Sequence, residues 1–436
     1  MKKTFLGFYR PTDDEFSELW KSCVFVLDAN ALLNLYRYSK ETRDDLLTIL
    51  RKISDRLWIP HQAALEYQEN RLDIIAEQLK KYEDVKQVLR EVKNKLTGDL
   101  GHLQLSKRHP LIDPDSLLEK VNTIFTEFTQ ELEKLEQKQP DVTDDDKLRN
   151  EIDALLRGKV GSPPESQEEL DKIYEEGEKR YRDKRPPGYM DVDKAKDDKD
   201  AYLYGGLSLK RTYGDLILWY QIIKEAQIRA EFKKIIFITD DDKEDWWWIV
   251  DSKGEKTIGP RPELVEEISS KAGVSLFYMY NSERFMEYAK KYLGVEIRKE
   301  SIEQVRDWTK LTKQAALWRF TREKIAAKFE LTNIQTAVVA MMVDNRLSTL
   351  PNPVTAATND KSAFPDTSAC GTDKLTDPNG NSYVAGLDKD GYILYQHDII
   401  ADGAQTELVN YVSTRYTKGT YAVDASGIVS QVTTGY

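Results

Sequence analysis

Two short apolar runs, VFVL at 24–27 and IIFI at 235–238, constrain this chain most, because each is free of polar residues and stops at an acidic motif. Runs of four to eight such residues are the mark of strands buried on both faces of a sheet. Each is followed or preceded by segments of helical period, so strand and helix alternate and the chain reads as α/β with a mostly parallel sheet covered on both faces. Carboxylates recur where these elements begin or end: Asp28 in VFVLDANALLNLY, Glu66 in WIPHQAALEYQENR, Asp215 in YGDLILWYQII and Asp240 in IIFITDDDKEDWWW. Folding the runs into one sheet brings these distant acids to one edge, where a divalent cation offsets their repulsion.

The elements between them are legible in part. The strand Val24–Leu27 leads to a helical pattern over Ala31–Tyr38, and Leu57–Ile59 is a second strand stopped by Pro60. His61–Lys80 continues as a helix with Ala64, Leu65, Leu72 and Ile75 on a partial stripe. From about Leu72 to Arg185 the chain is rich in Glu, Lys, Gln and Leu and reads as a helical insertion, after which DKRPPGYMDVDKAKDDKDAY returns as a loop. A helix over Asp215–Arg229, the strand Ile235–Ile238, a hairpin through WWWIVDSKGEKTIG, a helix over Pro262–Lys271 and a last strand Ser275–Tyr280 complete the pattern.

Composition shifts near residue 330: 17 of the following 106 residues are charged and none is tryptophan, against 122 of the preceding 330 with all eight tryptophans. The expected division is a first domain over 1–312 and a second over 313–436. In the second, Leu331, Ile334, Val338 and Met341 form an amphipathic stripe, and short strands follow with turns at LDKDGY, YTKGTY and VDASGI. This reads as an α+β module, one helix on an antiparallel sheet. With no run of 18 apolar residues and no signal-peptide pattern at MKKTFLGFYRPTDDEF, the expected setting is the cytoplasm, without membrane contact. Cys23 and Cys370 have no metal-ligand spacing and suit a reducing compartment. A formal net charge of −11 argues against electrostatic coating of nucleic acid, yet an enzyme whose acids carry metal ions can be acidic overall.

Acids converging from separate elements are what two-metal hydrolysis of a phosphodiester requires. Each acid also has a plainer reading. Asp28 can cap the helix that follows, Asp215 can be a first-turn acid favoured by the helix dipole, and Glu66 can be a solvated helix residue. In TDDDKED, Asp240 and Asp242 compete for the fourth position. The segment RPPGYMDVDKAK offers Asp191 and Lys194, and Lys179, Arg180, Arg182, Lys184 and Arg185 with Tyr181 and Tyr189 offer cations and stacking faces for a single strand, or a solvated helix face. Trp246, Trp247 and Trp248 read as core and hairpin packing. There is no G-x-S-x-G and no GxxxxGK[ST], so serine-nucleophile and P-loop chemistry have no support.

LDANALLNLYR, the Glu66 helix, PPGYMD with its following lysine, YGDLILW and ITDDDKEDWW resemble the acidic motifs of the PIN nuclease superfamily, specifically a PIN-like branch, over roughly residues 1–295. The resemblance implies a Rossmann-like PIN fold, Mg²⁺ or Mn²⁺ as cofactor, and cleavage of single-stranded RNA, or of single-stranded DNA. By position, Asp28, Glu66, Asp215 and Asp240 become catalytic metal ligands, with Asp242 as a rival or further ligand. Asn30 and Thr239 become supporting hydrogen-bond partners, and Asp191 and Lys194 sit at the active edge, Lys194 contacting the scissile phosphate. The tail, from EKIAAKFELTNIQTAVVAMMVDNRL onward, resembles the globular part of a type IV pilin, without a leader or a continuous apolar helix before it. The competing expectations are a non-catalytic binding module on a degenerate PIN-like scaffold and a pilin-related structural component.

Overall fold

The structure, a computed structural model, describes residues 1–2, 4–109, 111–197, 199–366, 392–398 and 408–435. It divides into two units, Met1–Thr309 and Lys310–Tyr436, each with an apolar core of its own.

The first unit opens with α1 (Asp13–Ser22), started by a capping box in which Thr12 and Glu15 each accept a hydrogen bond from the other's backbone N–H. β1 (Val24–Leu27) follows with all four side chains buried, then α2 (Ala29–Leu33), α3 (Lys40–Lys52) and β2 (Leu57–Trp58). Pro60, which cannot donate to a ladder, separates β2 from α4 (His61–Leu103). The first turns of α4 bury Ala63, Leu65, Tyr67 and Ile74, while its distal half is largely exposed. After α5 (Leu105–Arg108), α6 (Asp115–Glu136) packs back along α4, with Lys86 paired to Glu136. α7 (Lys147–Leu155) and α8 (Gln167–Arg182) rejoin the body. Ile152 of α7 lies in the main core, and Leu170, Tyr174 and Tyr181 of α8 form a satellite core with Leu65 and Leu216. Within the span expected as an insertion, then, it is the distal part of α4 and α6 that stands apart from the sheet.

β3 (Ala201–Tyr204) and β4 (Leu207–Lys210) make a hairpin through Gly205 and Gly206, whose φ of 59° and 82° is the geometry glycine supplies in a two-residue turn. α9 (Gly214–Ile228) is buried nearly all round, through Leu216, Ile217, Trp219 and Ile222 among others. Then come β5 (Lys234–Ile238), the hairpin β6 (Trp247–Asp251) with β7 (Glu255–Pro260), α10 (Pro262–Ala272), β8 (Leu276–Tyr280), α11 (Ser282–Leu293) and α12 (Lys299–Asp344).

The central sheet is parallel throughout, in the order β2-β1-β5-β8. Leu27 pairs with Ile238 and Ile238 with Tyr280, so the carboxyl ends of three strands are level. The ladder runs one residue further, with Asp28 N donating to Ile238 O at 3.0 Å and Thr239 N to Tyr280 O at 3.0 Å. The chain moves outward from β1 to β2, then crosses to β5 on the other side of β1. Ligands of open α/β sheets bind outside the strand ends at such a switch point. Residues 28 and 239–241 are the ones placed there.

In the second unit, Ile334, Val338 and Met341 pack with Phe364, Leu394, Tyr421 and Val429. An antiparallel sheet joins Thr358–Asp360, Tyr416–Val423 and Val429–Thr433. YTKGTY is not a turn: it lies within the strand Tyr416–Val423, and the irregular register around Thr420 and Tyr421 accommodates it as a bulge. VDASGI does turn, between that strand and the next. LDKDGY, apart from Tyr392, and Cys370 lie outside the described residues. Among the described residues no helix is long and apolar enough to cross a membrane.

Candidate active site

Asp28 is both a helix cap and a member of the acidic edge. Its Oδ1 accepts from Ala29 N at 2.7 Å, and its Oδ2 accepts from Thr239 Oγ1 and Asn30 Nδ2, both at 2.6 Å. Asn30 is fixed in turn, its Oδ1 accepting from Asp240 N at 2.8 Å. Burial pushes the Asp28 carboxyl up to about 7, with the charges of Glu66 and Asp241 adding to the rise and the Thr239 hydroxyl opposing it.

Glu66 reaches the same place from the second turn of α4. Gln62 Nε2 donates to its Oε1 at 2.8 Å, and that oxygen lies 2.8 Å from where a Cβ on residue 214 would stand. With glycine here Glu66 keeps this position; a side chain would push its carboxylate aside. The next residue, Asp215, receives the Trp246 indole N–H on Oδ2 at 3.2 Å. Burial raises the Asp215 pKa well above the carboxylate range, and Asp241, Asp191 and Glu66 add to it while Lys243 opposes. Glu66 is likewise raised by burial, with Gln62 and Lys194 working the other way.

The acidic run after β5 divides its work. Asp240 Oδ1 accepts from Ser282 N at 2.7 Å, and its Oδ2 accepts from Ser282 Oγ at 2.6 Å and Asn34 Nδ2 at 2.7 Å, which ties the strand end to the start of α11. Asp242 is exposed. Asp241 is the acid that bears on Asp28 and Asp215. Its N–H donates to Thr239 Oγ1 at 3.1 Å, and its Oδ1 accepts from Lys243 N at 2.9 Å. β5 ends at Ile238 and the chain then turns: Thr239 Oγ1 donates to Asp28 and accepts from Asp241 N, while Asp240 is held by Ser282.

The PPGYMD segment delivers a fifth acid. Asp191 is buried and accepts from Lys194 Nζ at 2.6 Å and Lys243 Nζ at 2.8 Å. Asp245, which sequence reasoning did not single out, holds this loop: its Oδ2 accepts from Gly188 N at 2.9 Å and Met190 N at 3.1 Å. Gly188, at φ 91°, leaves room for the Tyr181 hydroxyl and the Asp215 Cβ.

At the centre stands Lys243, its Nζ 2.8 Å from Asp191 Oδ1, 3.0 Å from Asp241 Oδ2 and 3.9 Å from Asp215 Oδ2. Burial works against this charge, yet the three acids hold the ammonium's pKa above its ordinary value. Among the described residues no three His, Cys, Asp or Glu side chains are grouped tightly enough to hold a metal as they stand. The residues nonetheless fit one by chemistry. Every donor is a carboxylate oxygen, the ligand type of hard divalent ions, and the Gly214 cradle leaves Glu66 free to approach.

A family model described as a PIN like domain matches residues 24–264, more than half of the chain. The chain belongs to the PIN-like domain family. No curated protein and no solved structure matches it. PIN domains are generally nucleases that act on nucleic acids and typically use Mg²⁺ or Mn²⁺. The match stops short of the tail, so no comparison supports its resemblance to pilins.

Within the PIN-like domain, the cationic strip at 179–185 is not one surface. Arg180 is buried and forms a two-pronged pair with Glu267 at 2.7 and 2.9 Å, while Tyr181 and Tyr189 are buried too and offer no open stacking face. Lys179, Arg182, Lys184 and Arg185 are exposed. The helix repeat separates them, because α8 turns Tyr174, Gly177 and Tyr181 inward with Arg180 alongside. Trp246 and Trp247 are core residues, and Trp246 also orients Asp215.

Proposed function

We propose that the PIN-like domain is a divalent-metal-dependent endonuclease that hydrolyses phosphodiester bonds of single-stranded RNA. The observation that carries this reading is the convergence of acids from separate elements beyond the switch point of one parallel sheet: Lys243 Nζ stands within 3.9 Å of Asp191, Asp215 and Asp241, Thr239 Oγ1 links Asp28 to the Asp241 backbone, and Glu66 lies against Gly214 beside Asp215. Asp28, Glu66, Asp215 and Asp241 would hold the metal, with Asp191 beside them. Asp241 takes the fourth position here, since Asp240 is committed to Ser282 and Asn34. Two Mg²⁺ or Mn²⁺ ions held there would polarise the phosphate and lower the pKa of a water so that its hydroxide could attack.

The chain's own residues do the rest. Thr239 and Asn30 hold the Asp28 carboxylate in one orientation, and Trp246 does the same for Asp215. Lys194, half exposed at the rim, carries a cation suited to a nucleic-acid phosphate. A cytoplasmic setting would give such an enzyme both RNA and Mg²⁺.

A labelled single-stranded RNA incubated with Mg²⁺ or Mn²⁺ and with EDTA, using wild type, Asp28→Asn and Asp215→Asn, tests the proposal. Cleavage should need the metal and fall in both variants; metal-dependent cleavage unchanged in both would sink it. Single-stranded DNA of the same sequence, run in parallel, decides the sugar preference. One observation favours a second reading, a non-catalytic nucleic-acid-binding module: an ammonium already lies among the acids. RNA binding with no cleavage under any metal would support it.

A further inference from the structure

We propose that Lys243 is a displaceable internal counter-cation, its ammonium holding Asp191, Asp215 and Asp241 together in the metal-free protein and leaving them when a divalent ion enters. The inference rests on the metal-dependent reading above and concerns how that site is loaded.

Three features point the same way. The first is charge. Five carboxyl groups, Asp28, Glu66, Asp191, Asp215 and Asp241, influence one another, while the ammoniums in contact with them belong to Lys194 and Lys243. A single ammonium faces Asp191, Asp241 and Asp215 at 2.8, 3.0 and 3.9 Å, one positive charge where a divalent ion would bring two. The second is anchorage. Lys243 O accepts from Trp246 N and Trp247 N, both at 3.2 Å, and the Trp247 indole donates to Asp241 O. The loop backbone is thereby fixed by two core tryptophans, and only the four-carbon stem is left to move. The third is the way out. The Lys243 side chain is 31% exposed, so rotation about the stem can carry its ammonium to water without shifting the loop. Lysine suits this role better than arginine: it is a compact, strongly hydrated point charge and does not grip carboxylates with a planar fork.

Arg180 shows what a permanent pair looks like in the same unit. Its guanidinium holds both oxygens of Glu267, and its side chain is 2% exposed. Lys243 instead hydrogen-bonds Asp191 at 2.8 Å and stands 3.0 Å from Asp241 and 3.9 Å from Asp215, with no paired grip on any of the three.

If the lysine must leave before the metal enters, apparent metal affinity is the intrinsic affinity reduced by the fraction of molecules in which it has left. Removing the ammonium removes that handicap. Mn²⁺ titration calorimetry on the full chain, without nucleic acid, should find Lys243→Met binding about tenfold more tightly than wild type, with Lys243→Arg no tighter than wild type. Lys243→Met should also melt at a lower temperature in EDTA and gain more from Mn²⁺ than wild type does.

The unaltered protein provides a check that needs no variant to fold. Amine acetylation read by mass spectrometry should show Lys243 becoming more reactive on adding Mn²⁺, with the exposed Lys172 and Lys299 unchanged. Mn²⁺ affinity that is equal or weaker in Lys243→Met, or Lys243 reactivity that stays constant as Mn²⁺ binds, overturns the proposal while leaving the metal-dependent reading intact. Mn²⁺ binding to neither protein overturns both.

Discussion

Buried charge is handled in two opposite ways within the first unit. At Glu267 it is satisfied: Arg180 bonds both oxygens, Trp219 Nε1 donates at 3.0 Å, and Lys271 and Arg185 stand at 2.9 and 3.1 Å. Burial alone would raise the Glu267 pKa, but these partners hold it down to about 2. At the strand ends the balance is reversed: burial pushes Asp28 up to about 7, the charges of Glu66 and Asp241 add to the rise, and its Thr239 and Ala29 donors do not offset them. A carboxylate surrounded by donors is part of the architecture. One buried beside other carboxylates with too little positive charge at hand is kept at an energetic cost, which is the condition that a bound cation relieves.

The largest expected effect falls on the satisfied pair. Glu267→Ala strands a buried guanidinium and should cost about 3–5 kcal/mol of stability in urea unfolding. Cleavage per folded molecule should change little, since Glu267 belongs to the packing between α8, α9 and α10. A variant that keeps its stability would erase the contrast. At the acidic edge the pattern inverts: Asp215→Asn should lower metal-dependent cleavage by at least ~100-fold, given that even outer partners of metal ligands are worth 10–100-fold. In EDTA its melting temperature should be no lower than that of wild type, because one of the repelling acids is gone. Marked destabilisation would mean that Asp215 is structural.

Gly214→Ala probes the same edge without touching an acid. The added Cβ meets Glu66 Oε1 at 2.8 Å, so the carboxylate must move, and cleavage should drop by roughly 10- to 100-fold. Gly98→Ala, on the distal half of α4 where nothing lies within 4 Å of the added Cβ, is its control in the same assay.

Acid and base should act on the two sites in opposite directions. Glu267 has a lowered folded pKa, so its stabilisation is present above the ordinary glutamate range and is lost as pH falls toward about 2. Asp28 has a raised one. Its folded form binds the proton more tightly than the unfolded chain, so the metal-free protein should lose stability as pH rises from about 4 through 7. Melting curves in EDTA across this range, with Asp28→Asn flattening the upper part, check the sign. The smallest effect should come from removing the second unit: a chain ending at residue 312 retains the whole first core, and its cleavage should stay within about twofold of the full chain.

How much was legible followed from how local each cause was. Asp28, Glu66 and Asp215 stood out because each adjoins an apolar run, and burial of that run carries the acid with it. The choice within TDDDKED was not local. It depended on how the turn after β5 is held: Thr239 is tied to Asp28 and to Asp241 N, and Asp240 to Ser282. Arg180 looked like part of a basic strip because its neighbours are basic. Its partner Glu267 lies far along the chain, on a helix that only packing brings near. The β3–β4 hairpin had a local signal in Gly205–Gly206, hidden by the charged stretch before it.

The sequence by itself therefore determined the alternation of strand and helix, the parallel character of the sheet and the supply of acids at strand and helix ends, because each depends on neighbouring residues and on the burial of apolar runs. Tertiary structure alone decided which acids face one another, which lysine stands among them and which charges are silenced by a partner. Those are matters of distance between residues remote in the chain, and Coulomb interactions respond to that distance and to burial, with no regard for sequence order.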